Sequence, residues 1–167
     1  MKIRINTEII EALKPCAAQL VVWRENHKDF DGDILDFLEL EKMISARDKI
    51  WVAVRVIPIF LMEVFAIDCA FSAYAAAVTD EDIDADERED AESASSAASH
   101  TVADEDAVTS AYAYATYASN SAVRAVARTA YHAARSSGDL YSETVEVENQ
   151  ELENQVDALI MLIKGES

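Results

Sequence analysis

Apolar positions along this chain recur mostly at helical spacing and predict a succession of helices. Lys2 to Ile5 reads as a short extended segment, after which Asn6 or Thr7 caps a brief helix to about Lys14. Pro15 suits the first turn of a second helix over about 15–27, where Cys16, Leu20, Trp23 and His27 share one face at spacings of 4, 3 and 4. Asp29 to Asp33, around Gly32, reads as a loop and cap. Ile34, Phe37, Leu38, Leu40 and Ile44 mark a third helix, over about 34–44. Trp51 and Val54 lie in a fourth, over about 46–57, that Pro58 stops. The clearest stripe follows: Phe60, Val64, Ile67, Phe71, Tyr74 and Val78, at 4, 3, 4, 3 and 4. So regular a stripe predicts the helix at the centre of the core.

The pattern changes at Thr79. Asp80 to Glu92 holds nine acids and Arg88; it opens as a solvated loop and runs into a helix through Ala98. Asp104, Glu105 and Asp106 then stand where a helix N-terminus favours negative charge. The helix they start, about 104–136, is built from Ala, Ser, Thr and Tyr, with Arg135 in its last turn and Gly138 just beyond. A final helix over about 145–164 is acidic first and apolar last, so that Val156, Leu159, Ile160, Leu162 and Ile163 dock on the core. Val145 and Val147 between glutamates alternate like a strand, which blurs its start.

Three glycines and two prolines in 167 residues are too few for a sandwich, barrel or Rossmann fold, each of which reverses direction often. The expectation is an all-α single domain, 1–167: a compact helical bundle from 1–79 carrying a long, acidic, alanine-rich helical extension over 80–167. Residues 50–78 are apolar, but Arg55, Glu63 and Asp68 interrupt them and Pro58 breaks them, which favours a buried helix over a membrane span. Two cysteines without a framework and an N-terminus without an apolar leader read as cytoplasmic.

Charge narrows the partners. Thirty-two acids face fourteen basic residues, a net of −18, and 80–167 alone holds twenty of the acids and five of the bases. Such a chain repels nucleic acid and anionic membrane. What remains is a protein target with a basic surface (a host defence effector, a nuclease or a toxin), a cation, or a second copy of itself as a homo-oligomer.

Little here suggests catalysis. His27, His100 and His132 are scattered, with no His-Glu-x-x-His, no Cys-x-x-Cys, no glycine-rich phosphate loop and no Gly-x-Ser-x-Gly. A calcium loop of the EF-hand kind requires a central glycine, which Asp80 to Glu92 does not contain. Asp68 beside Cys69 is the most enzyme-like pair; a buried carboxylate there would act as an acid or base, or else pair with Arg55 or cap a neighbouring helix. The expectation is no catalytic residue, no metal and no cofactor.

Two features point to binding. The first is the acidic set Asp80, Glu81, Asp82, Asp84, Asp86, Glu87, Glu89, Asp90, Glu92, Asp104, Glu105 and Asp106. It reads either as a solvated face or as a negative surface aimed at a basic groove, its carboxylates standing in for phosphates. The second is a seam on the long helix, Tyr114, Tyr117, Ser121, Arg124, Arg128, Tyr131 and Arg135, at spacings of 3 and 4. Tyr and Arg anchor protein interfaces, and arginines in an acidic chain equally pair within it. Ala111, Ala115, Ala118, Ala122 and Ala125 between them allow close helix approach.

Cys16-Ala-Ala-Gln19-Leu20 with Trp23 resembles the opening of many small phage and bacterial proteins. Trp51-Val-Ala-Val-Arg55-Val-Ile-Pro58, Phe65-Ala-Ile-Asp68-Cys69-Ala70 and the alanine-rich tail look like its continuation. The tail is similar to predicted immunity proteins of bacterial polymorphic-toxin systems, which are all-helical and alanine-rich. The resemblance implies a non-enzymatic protein that binds and blocks a partner. The acidic block tilts it from toxin immunity toward a phage-borne anti-defence protein, of the anti-CRISPR type, that imitates nucleic acid.

Overall fold

The computed structural model describes residues 2–40, 44–78, 85–103, 108–135 and 140–165. Among them the fold is all-α, with eight helices and one two-stranded ladder. Contacts divide the chain into two units, one of residues 1–57 with 156–167 and the other of residues 58–155.

In the first unit β1 (Arg4–Asn6) pairs antiparallel with β2 (Asp31–Asp33), Ile5 opposite Gly32. The ladder is an element the sequence reading leaves out, because Asp-Gly-Asp carries no strand propensity and is held by its partner. Each helix start is capped by a local side chain. Asn6 Oδ1 accepts from the Ile9 N–H at 3.0 Å ahead of α1 (Thr7–Ala12). Gln19 Oε1 accepts from the Cys16 N–H at 3.2 Å at the head of α2 (Ala17–His27). Asp33 Oδ1 accepts from the Leu35 and Asp36 N–H groups at 2.8 and 3.2 Å ahead of α3 (Ile34–Leu38), which ends well short of residue 44. Ser45 Oγ accepts from the Asp48 N–H at 3.1 Å ahead of α4 (Ala46–Val56). Caps of this kind each stabilise a helix by roughly 1 kcal/mol. The core gathers Ile5, Trp23, Ile34, Phe37, Leu38, Ile50 and Val54, with Leu159, Leu162 and Ile163 from the end of α8 (Leu140–Lys164). Trp23 sits edge-on to Phe30 and tilted against Phe37, and its indole N–H donates to Thr7 Oγ1 at 3.1 Å.

The second unit is made by α5 (Ile59–Val78), α6 (Ala85–Ala103) and α7 (Val108–Arg135), packed pairwise on one another, with residues 140–155 of α8. Here the sequence expectation fails on α5. Phe60, Val64, Ile67, Phe71 and Tyr74 lie on the surface, Phe71 at 68% and Tyr74 at 63% exposure; the side chain of Val78 lies outside the described residues. The buried face is the opposite one: Leu61, Met62, Phe65, Ala66, Cys69 and Ala73. The reason lies in the neighbours. α6 and α7 bring mostly alanines to the contact, among them Ala94, Ala97, Ala98, Ala115, Ala118, Ala122 and Ala125, all buried. Helices meeting through alanine approach closely, so α5 turns in the face carrying Ala66, Cys69 and Ala73 and leaves its bulky stripe outside.

Residues 140–155 of α8 add buried polar groups. Ser72 Oγ and Gln155 Nε2 both donate to Glu151 Oε1, at 2.8 and 2.9 Å, and Ser119 Oγ donates to Gln155 Oε1 at 2.6 Å. Glu151, Gln155 and Ser119 are buried, so these bonds replace water that the site excludes.

Candidate functional site

The groove between α6 and α7 is where the expected acidic and aromatic residues meet. Glu89 and Glu92 are one turn apart on α6, exposed, and share the groove with Ser96, His100, Tyr114 and Tyr117, around about 390 Å3 of space. His100 places Nδ1 3.1 Å from the Ser96 carbonyl oxygen, and its ring meets Tyr114 edge-on with centroids 5.1 Å apart. Tyr117 is exposed, and the Arg124 guanidinium lies 5.9 Å from its ring centroid. The arrangement sets two exposed carboxylates in one groove with two tyrosines, and such carboxylates can receive a lysine or arginine side chain by ion pairing.

Two residues expected on the partner-facing surface are turned to internal use. Asp90 is buried, and Arg124 Nε donates to its Oδ1 at 3.1 Å while Arg124 Nη2 donates to Ser121 Oγ at 3.0 Å. Of the two readings of the seam, pairing within the chain therefore holds for Arg124. The seam is also not one continuous exposed face, because Ser121 is buried between Tyr117 and Arg124. Tyr131 is exposed. Asp86 and Glu87 lie in α6 and Arg128 in α7, but their side chains fall outside the described residues, as do Asp80, Glu81, Asp82, Asp84, Asp104, Glu105 and Asp106 altogether.

Asp68, expected to be buried, is exposed on α5; partial burial still pushes its carboxyl above the usual range. Arg55 donates Nη1 to the Trp51 carbonyl at 2.7 Å and stacks over the Trp51 ring at 4.0 Å. The Cys69 thiol is buried, and burial first, then the charges of Glu151 and Asp68, raise it well above its ordinary value. A thiol so held is unreactive. Among the described residues no three His, Cys, Asp or Glu side chains converge as a metal set.

The first unit holds a separate apolar pocket of about 300 Å3, walled by Trp23, Phe37 and Trp51 with Gln19, Ser45 and Asp48 among its lining. Those polar groups serve one another: Gln19 Nε2 donates to Asp48 Oδ1, and Ser45 Oγ to Asp48 Oδ2. Their work is to cap α2 and α4 and tie the two together. Sequence reasoning missed this link and the Glu151–Gln155–Ser119 cluster. The signal for the second was present, since Glu151 and Gln155 are four apart and flank Leu152 and Val156 on the inward stripe of α8.

No family model, no curated protein and no solved structure matches the chain.

Proposed function

We propose that this chain is a non-enzymatic acidic inhibitor that binds and blocks a partner protein. Its class would be the anti-defence, anti-CRISPR-type proteins of phages and mobile elements, acting partly by imitating nucleic acid. The observation that carries the reading is the α6–α7 groove, where Glu89 and Glu92 stand exposed beside Tyr114 and Tyr117. Carboxylates fixed on a helix present a preset array of negative charge to a basic groove, and the tyrosines add contacts that a bare acidic tail lacks. The unit carrying the groove has twenty acidic and four basic residues, a charge that steers encounter with a basic surface and speeds association. A nuclease toxin offers the same basic cleft, so neutralising a toxin is the second reading, on the same face.

The test is capture by the tagged full chain from a nuclease-treated host lysate, at low and high salt. Inhibition through this groove requires one basic partner in stoichiometric amount. Its capture should fall steeply with salt and drop at least about tenfold for Glu89→Gln with Glu92→Gln, or for Tyr117→Ala. Capture that ignores both salt and these substitutions sinks the reading.

A further inference from the structure

α5 leaves an apolar face on the surface that nothing among the described residues of the second unit covers. Phe60, Val64, Ile67, Phe71 and Tyr74 alternate at 4 and 3, the a/d seam of a coiled coil rather than scattered surface residues. Beside it, Ile67, Phe71 and Tyr74 wall a groove of about 620 Å3 whose floor is small: Ala70 on α5 and Ser95, Ala98 and Ser99 on α6. Bulky walls over a small floor admit a helix at close range. The seam runs for four turns, roughly 21 Å at the rise of an α-helix, which suits a partner helix of about 15 residues.

Charge selects among the occupants. The polar positions flanking the seam are Glu63 and Asp68, and no lysine or arginine occurs from Pro58 to Glu87. A second copy docked in parallel sets Glu63 against Asp68 of the other copy, and an antiparallel copy again offers only acids and alanines. Flanking positions of a coiled coil choose partners by this rule, and like charges reject. A membrane surface is disfavoured for the same reason. Among the described residues α5 is the one helix long and apolar enough to span a bilayer. It has none of the basic residues that hold an interfacial helix at headgroups, and its unit has sixteen more acidic than basic residues.

We infer that the exposed α5 seam, with the α5–α6 groove beside it, docks an amphipathic helix of a partner protein whose apolar stripe is flanked by lysine or arginine. This surface is distinct from the α6–α7 groove and does not depend on the inhibitor reading.

The test uses three synthetic helical peptides of equal length, titrated into the full chain by fluorescence anisotropy. One has leucine at a and d with lysine at e and g; one has the same leucines with glutamate at e and g; one keeps the lysines but has serine at a and d. Docking on the seam requires the first to bind at least about tenfold more tightly than either other. Phe71→Ala with Tyr74→Ala, checked for unchanged helicity, should abolish that preference, Glu63→Gln with Asp68→Asn should reduce its salt dependence, and Glu89→Gln with Glu92→Gln should leave it intact. Equal binding of both lysine peptides would show bulk charge attraction and overturn the inference, as would binding of none. Phe71-dependent dimerisation in sedimentation would assign the seam to a second copy. Phe71-dependent binding to zwitterionic phosphatidylcholine vesicles would assign it to a membrane. Either result contradicts the proposal.

Discussion

Two phenylalanines on one helix, six residues apart, should differ sharply in what their truncation costs. Phe65 is fully buried in the second unit, whereas Phe71 is 68% exposed. Replacing a buried phenylalanine by alanine removes its transfer free energy and leaves a cavity, about 3–5 kcal/mol in all. Phe71 keeps only about a third of its surface covered, so its truncation forfeits about 1 kcal/mol at most. Alanine's better helix propensity returns roughly half of that. Phe65→Ala should therefore destabilise at least about fourfold more than Phe71→Ala. Urea unfolding of the full chain, followed by pulsed thiol labelling of Cys69, reads the unit that contains both residues. The buried thiol should label only when that unit opens, while exposed Cys16 labels at once. A Phe71→Ala variant that shifts the Cys69 transition as far as Phe65→Ala would mean that the bulky stripe is the core, and the orientation of α5 would be wrong.

Other perturbations follow from the same geometry. Ser119→Ala leaves the buried Gln155 Oε1 without its 2.6 Å donor and should cost about 1–3 kcal/mol in the same assay, whereas Ser95→Ala on the exposed face of α6 should cost under about 0.5 kcal/mol. Lys14 has φ +56°, so Lys14→Gly should raise the unfolding midpoint by an amount equivalent to about 1 kcal/mol; a lower midpoint would refute it. Burial raises the Asp68 carboxyl above its ordinary 3.8, so the folded chain holds that proton to higher pH than the unfolded chain does. The stability this group confers is present at low pH and lost as pH rises through its folded value. Asp68→Asn should thus be the more stable protein near neutrality, with the gap closing in acid; a constant gap in denaturation from pH 7 to pH 3 would contradict this.

Much of the helical framework was legible because its signals are local. Asn6 and Asp33 cap the helices that follow them, Pro58 ends α4, and apolar spacing marks Trp23 and Phe37 as core, whereas the Ser45 cap of α4 was not read. What failed was the choice of face on α5. A helix apolar nearly all round has two eligible stripes, and periodicity favours the larger side chains, whereas close packing on alanine-rich α6 and α7 favours the smaller ones. The ladder of β1 and β2 was missed because Asp31-Gly32-Asp33 becomes a strand only through pairing with Arg4–Asn6, with Arg4 and Asp31 joined by two hydrogen bonds of 2.7 and 2.8 Å. At the candidate site, the sequence picked out Glu89, Glu92, Tyr114 and Tyr117. It could not separate them from Asp90 and Arg124, because charge and spacing alone do not tell an outward carboxylate from one turned inward onto an arginine one helix away.

The proposed imitation of nucleic acid by the acidic helical face can be tested by displacement. Partner protein captured on the immobilised full chain from nuclease-treated lysate is challenged with duplex DNA, and then with the same mass of an uncharged polymer. Mimicry predicts that DNA releases the partner in a dose-dependent way, that the neutral polymer does not, and that the released protein binds DNA itself. A partner that stays bound at saturating DNA, or one with no affinity for nucleic acid, would rule mimicry out.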